Sequence, residues 1–176
     1  MSAHPYTPAA RLTALAMIAL TSACASVDRA ALGDAAAGTN AAAAGPAPIA
    51  GYDWHLSTAD GAARLAYGVA ESDDLKLGFD CDAGSGRIEV TANGPTGTRT
   101  LLLESGGETE RLNADGEPSQ LTDGDLLTAA VEADIPVFQR FRRIGWMAQW
   151  IGDRRETYAA HPGSQGNVER FFALCD

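Results

Sequence analysis

Lysine is nearly missing from this chain. Of its 13 basic residues only Lys76 is a lysine, and the other twelve, all arginine, face 23 acids for a net charge of −10. A negative excess of that size argues against nucleic acid as a partner, because a phosphate backbone calls for a basic footprint. Histidine is as scarce, with His4, His55 and His161 alone, and there are three cysteines, Cys24, Cys81 and Cys175. So few imidazoles and thiols, so widely spread, do not supply a zinc site, and neither a metal nor another cofactor is expected. No C-x-x-C spacing exists to activate a thiol for redox work. No apolar run is long enough to span a bilayer, since the longest, over residues 12–20, is nine residues and a crossing helix needs about 20. At 176 residues the chain has room for one domain with an appendage and not for a multidomain enzyme.

What is present begins with an address. Residues 1–11 are polar with one basic side chain, and the apolar run that follows has the length of a signal-peptide core. Next comes Thr21-Ser22-Ala23-Cys24-Ala25, which two enzymes could cut. Cleavage before Cys24 would leave that cysteine as a lipidated N-terminus. Cleavage after Ala25, at a small-x-small site, would discard it and release a soluble periplasmic or secreted protein. Residues 25–50 contain 12 alanines, interrupted by Gly33, Gly38, Gly45, Pro46 and Pro48, with no apolar stripe. That composition reads as a flexible tether. The expected organisation is a signal peptide over 1–23, a tether over 24–50 and one globular domain over 51–176.

From residue 51 onward, turn signals recur at short intervals, among them Asp60-Gly61, Gly84-Ser85-Gly86 and Asn93-Gly94-Pro95. Between them lie segments 52–58, 63–70, 75–82, 87–92, 99–104 and 108–113, each of strand length. This pattern predicts an antiparallel sheet, a small barrel or a sandwich. The clearest strand is Leu75-Lys76-Leu77-Gly78-Phe79-Asp80-Cys81, whose alternation turns Cys81 toward the buried face. Two short helices are expected further on, making the class α+β. In the first, Asp134 is a candidate N-cap, Pro136 suits the first turn, Val137, Phe138, Phe141 and Ile144 share a face, and Gly145 ends it. Segments 146–151 and 155–160 read as a hairpin turning at Gly152-Asp153. The second helix, over about 164–174, carries Val168, Phe171, Phe172 and Cys175 on one stripe. With Cys24 in the appendage, Cys81 and Cys175 are the domain's two thiols, both facing inward in an exported protein. They are expected to pair and close the domain.

Candidate chemistry is thin. Asp53 and His55 lie two apart on a predicted strand and so share a face, which would suit a small envelope hydrolase if a serine lay nearby. No G-x-S-x-G elbow accompanies them. Strand register accounts for the outward Asp80 and Asp82, and Asp115, Asp123 and Asp125 sit in turns, all without the further acidic ligand of a calcium loop. Charge is distributed unevenly. Residues 51–134 hold 17 acids and five bases, whereas residues 135–176 hold four acids and six bases. Arg140, Arg142 and Arg143 on the first helix, with Arg154 and Arg155 on the hairpin, form a candidate binding patch; the competing reading is that they neutralise the protein's own acidic sheet. Trp146 and Trp150 alternate on one strand face, as a binding platform or, as expected here, as core.

Signal segment, cysteine, Ala-rich tether and disulfide-closed β-domain together resemble the small uncharacterised lipoproteins of proteobacteria. The motif that carries this is Thr21-Ser22-Ala23-Cys24, with Thr21 where the lipobox favours leucine. The resemblance implies lipid on Cys24 and a periplasmic domain held at the outer membrane, Ala25 standing where an inner-membrane retention signal would place Asp. It implies no activity. A second resemblance, to membrane-bound lysozyme inhibitors, rests on the same architecture and on Ser85-Gly86 within Gly84-Ser85-Gly86-Arg87, and implies an acidic face that binds a basic enzyme. The function expected is a non-catalytic binding or structural module whose partner is the membrane, through its lipid, and another envelope protein or a glycan.

Overall fold

A computed structural model describes residues 45–176; the signal-like segment, Cys24 and the tether as far as residue 44 lie outside the described residues. The first four strands, β1 (Tyr52–Ala59), β2 (Ala62–Val69), β3 (Leu75–Asp82) and β4 (Arg87–Gly94), form a meander. Then come β5 (Thr100–Ser105), β6 (Glu108–Asn113), β7 (Asp115–Pro118) and β8 (Asp125–Glu132). Helix α1 (Pro136–Ile144), strands β9 (Trp146–Ile151) and β10 (Arg154–Ala159), and helix α2 (Gln165–Cys175) complete the domain. Asp60 and Gly61, with φ of 50° and 82°, supply the left-handed pair that a tight β1–β2 hairpin requires.

The strands build two antiparallel sheets. Sheet A runs β1-β2-β3-β4-β8-β7 and sheet B runs β10-β9-β5-β6. Strand pleating explains which residues enter the core: the cross-strand row Trp54–Tyr67–Leu77–Ala92–Leu127 and the next row Leu56–Leu65–Phe79–Val90–Ala129 are apolar on the inner face of sheet A. The opposite face carries the row Ser57–Arg64–Asp80–Glu89–Ala130, which is charged in its middle three members.

Two different covers lie over that inner face. Toward one end of its strands, sheet B packs on it: Tyr67 meets Tyr158 at 5.0 Å between ring centroids, and Gln149 reaches the Asn93 carbonyl. Toward the other end the helices pack on it, Phe79 lying 5.4 Å from Phe138 and 6.2 Å from Phe171. Trp54 sits where the two covers meet, stacked on Phe79 at 5.7 Å, 4.8 Å from Phe141, its indole N–H donating to the Tyr158 carbonyl at 3.2 Å. Fully burying a side chain of this kind contributes about 1.5–3 kcal/mol.

Cys81 and Cys175 are bonded, with Cα atoms 5.8 Å apart, across 94 positions. The bond joins β3 to the last turn of α2, and the Gly84 and Gly86 N–H groups donate to the Leu174 and Cys175 carbonyls at 2.8 Å each. The last carbonyls of α2, which a helix leaves unsatisfied, are thus met by the β3–β4 turn.

The α+β class, both helices and the hairpin agree with the sequence reading, and the sheets form a sandwich and not a closed barrel. Some details differ. Strand β8 lies in a stretch with no expected strand, yet it pairs along its whole length with β4. Helix α1 starts from Ile135 without a side-chain cap, so Asp134 does not cap it; the early Pro136, which has no N–H to satisfy, leaves less for a cap to do. Ser164 precedes α2 but its hydroxyl serves Asp53 and the His161 carbonyl. Gly145 ends α1 in the left-handed conformation, with φ of 72°. Its N–H donates to the Phe141 carbonyl and its own carbonyl accepts from Ala160. The Gln165 side chain fills the space a Cβ would need, so α1, β10 and α2 meet on this glycine.

Candidate functional site

The five candidate arginines fall into two groups with different surroundings. On α1, Arg142 pairs with Asp176 at 2.8 Å, Arg143 is exposed, and Arg140 is half-buried. The Arg140 side chain lies against the β5–β6 turn, where a Cβ on Gly106 would come within 2.6 Å of its Nε. On β10, Arg154 pairs with Glu156 at 2.9 Å. Arg155 grips Glu104 of β5 with two hydrogen bonds of 2.8 Å. Only this last bond takes a carboxylate from the acidic stretch 51–134, so neutralisation of the acidic sheet accounts for Arg155 alone.

Arg155 belongs to the outer face of sheet B. Register places Arg155, Trp150, Leu102 and Arg111 in one cross-strand row. Trp150 donates its indole N–H to Glu104 at 3.1 Å, and the Arg155 guanidinium lies 5.4 Å from the centre of the Trp146 ring. This corrects the expectation that the two tryptophans pack in the core. On β9 it is Met147 and Gln149 that turn inward, 0% and 2% exposed, while Trp146 and Trp150 remain half-exposed on the other side. The guanidinium of Arg155 holds the Glu104 carboxyl below its ordinary range and is itself pushed up by that partner. Gly45 rests on the Trp146 indole, since a Cβ there would come within 2.8 Å of Nε1, so the chain passes this face before it enters β1.

Asp53 and His55 do share one side of β1, as their spacing requires. Asp53 Oδ1 accepts from the Trp54 N–H at 2.8 Å, the His161 N–H at 3.2 Å and the Ser164 hydroxyl. Among the described residues no hydrogen bond joins it to the exposed His55 ring. Its work is structural: it fastens the turn before α2 to the edge strand, helped by Asn167, which donates to the Trp54 carbonyl at 2.9 Å. A serine does lie beside this aspartate, but the nearby imidazole of His161 is directed to the Ile49 carbonyl at 3.3 Å and not to the hydroxyl, so the Asp–His–Ser order of a hydrolase triad is not formed here.

The alternating aspartates have other partners, Asp80 standing on β3 and Asp125 opening β8. Asp80 receives both of its bonds from Arg64 Nη1, at 3.0 and 2.9 Å. Asp125 is buried and accepts from the Gly97 N–H and from Arg99, each at 3.0 Å, and these donors, the backbone one foremost, lower its pKa. Among the described residues no three His, Cys, Asp or Glu side chains converge on a common point. Ser85-Gly86, on which the expected resemblance to lysozyme inhibitors rests, lies in the β3–β4 turn strapped to the end of α2 by the bonds given above, and the Ser85 hydroxyl donates to the Arg87 carbonyl at 3.2 Å. Cys24 lies outside the described residues.

Sequence reasoning missed the buried polar groups between the sheets. Gln149 Nε2 donates to the Asn93 carbonyl at 3.0 Å, and its Oε1 accepts from the Tyr158 hydroxyl at 3.1 Å. Burial drives the Tyr158 phenol's pKa far above the ordinary tyrosine value, with Glu156 adding to the effect. The one available signal was the parity of β9: if Met147 is inside, so is Gln149. No protein-family model, curated protein or solved structure matches this chain.

Proposed function

We propose that the protein is a non-catalytic binding module of the cell envelope, lipid-anchored through Cys24, which uses the outer face of sheet B to hold an envelope glycan. The observation that carries this reading is the row Arg155–Trp150–Leu102–Arg111, turned away from the core with Trp146 beside it. Half-exposed indoles offer flat apolar surface to the C–H faces of sugar rings, and aromatic residues and arginine are the types enriched at binding surfaces. Arg111 is exposed and has no ion pair among the described residues, so it is free to meet a hydroxyl or carboxylate. The disulfide supports export, because such bonds persist in oxidising compartments. The passage of the chain beside Trp146 ahead of β1 suits a domain held near a surface.

The test is cosedimentation of the mature protein with purified cell-wall sacculi, comparing wild type with W150A/R111A. The reading expects the double variant to lose binding about tenfold or more, two truncated contacts of roughly 1 kcal/mol each at the least, with its melting temperature nearly unchanged. Equal binding by both forms would overturn it; capture of a single envelope protein in place of sacculi would replace the glycan with a protein partner. Intact mass from a native membrane fraction reads the anchor: acyl chains on an N-terminal Cys24 agree with it, and a chain beginning at Ser26 does not.

A further inference from the structure

The sandwich is open along one seam, where β1 and the neighbouring strands of sheet A approach β10, and a cavity of about 300 Å³ lies there. Its walls include Ile49, Tyr52, Tyr67, Lys76, Glu156 and Tyr158. The three phenols differ in one respect. The Tyr52 hydroxyl donates to Asp74, and the Tyr158 hydroxyl is placed between Gln149 and Glu156 at 3.1 and 3.2 Å. Tyr67 is 0% exposed and its hydroxyl has no hydrogen-bond partner among the described residues. Tyr67 and Ile49 both line the cavity, and burial, the foremost cause, raises the phenol's pKa. A buried hydroxyl without an acceptor for its proton is costly, and a ligand that brings an acceptor recovers that cost.

We propose that this cavity is a second binding site, separate from the outer face of sheet B, for a small neutral aromatic molecule carrying one hydrogen-bond acceptor. The ring fits the space beside Tyr52 and Tyr158, whose own rings lie 5.9 and 5.0 Å from that of Tyr67, distances at which aromatic groups attract one another. The acceptor meets the Tyr67 proton. Neutrality follows from the rim: Lys76 is already paired with Asp74 at 2.7 Å and Glu156 with Arg154 at 2.9 Å, so neither charge is left to demand an opposite one. Ile49 is 47% exposed, and its carbonyl is held by the Tyr52 N–H at 3.1 Å and faces the His161 ring. It is a strap across the mouth that a ligand displaces outward to reach the hydroxyl. A volume near the lower end of ligand pockets, with mainly apolar walls and few polar groups, is the usual form of a small-molecule site.

The experiment titrates acetophenone, an aromatic ketone, and ethylbenzene, which lacks the acceptor, into full-length protein, following the ring resonances of labelled tyrosine. Wild type is expected to bind the ketone saturably and about tenfold more tightly than the hydrocarbon, the worth of one neutral hydrogen bond. The Tyr67 and Tyr158 rings should shift. Y67F keeps the ring packed 5.2 Å from Trp54, so it folds, and it should bind the two compounds equally. I49W, which enlarges the strap, should weaken both. The proposal is overturned if the ketone does not saturate, if Tyr52, Tyr67 and Tyr158 stay silent while others shift, or if Y67F keeps the wild-type preference, the result expected when a water satisfies the hydroxyl. None of these outcomes involves sacculi, so the glycan reading stands or falls separately.

Discussion

The two covers over the inner face of sheet A are opposites. Beneath the helices the interior is hydrocarbon: Phe79, Phe138, Phe141, Phe171 and Phe172 pack with centroid separations between 5.4 and 6.2 Å, and a disulfide closes the end. Beneath sheet B the interior is partly polar, with Gln149, Ser105 and the Tyr67 and Tyr158 phenols all enclosed. Dispersion and burial act without direction, so the helical end gains stability while specifying little about alignment. Hydrogen bonds act only in register, so Gln149 gripping Asn93, and Ser105 donating to the Trp146 carbonyl at 2.8 Å, fix how strands sit against one another. Stability is concentrated at one end, and at the other are the unspent hydroxyl, the cavity and the outward tryptophans.

The sharpest way to break this contrast is to remove the staple. C81A/C175A should lose about 4–5 kcal/mol, the chain-entropy value for a loop of nearly a hundred residues, and reductant should have the same effect on wild type. An unchanged melting temperature in both experiments would mean that the aromatic packing alone holds that end. A smaller loss, about 1–3 kcal/mol, is expected for Gln149→Leu, because the Asn93 carbonyl loses a donor inside the protein and Tyr158 keeps Glu156 alone. If chemical denaturation showed that variant to be as stable as wild type, the polar end would be as forgiving as the dry one. The smallest effect comes from acid. The Glu104 carboxyl has a lowered pKa in the fold, so its bond to Arg155 stabilises above the ordinary glutamate value of 4.5 and is lost as pH falls below it, through the lowered value. With Arg155 31% exposed the effect should be about 1 kcal/mol or less. Trp150 fluorescence should report it before global unfolding, and E104Q should abolish that early change.

Legibility in the sequence followed the same division. The dry end could be read, because its signals are periodic: alternation put Cys81 and Phe79 inside, helical spacing put Phe171, Phe172 and Cys175 on one stripe, and Gly145 marked the stop. Strand β8 escaped notice because Leu126, Leu127, Ala129, Ala130 and Val131 run apolar without alternation, and its partner β4 is more than thirty positions away. The tryptophans of β9 were misplaced for a related reason. Hydropathy prefers Trp inside and Gln outside, whereas the register with β5 and the Asn93 carbonyl decide the opposite. Arg111 was overlooked as part of a surface, since its row exists only once four strands lie side by side. Nor could a list of residues show that Asp53 is taken up by the turn before α2 and is not available to His55.

The order in which the polypeptide visits its two layers has a kinetic consequence. It lays down four strands of sheet A, then two of sheet B, returns for β7 and β8, and leaves again for β9 and β10. Neither layer is contiguous, so no fragment holds one whole layer without strands of the other, and β4 must wait for a neighbour made after both β5 and β6. Such interleaving delays closure of distant loops and slows folding, but it also denies the molecule any half-assembled resting place: amides in both layers should exchange with solvent through the same all-or-none opening.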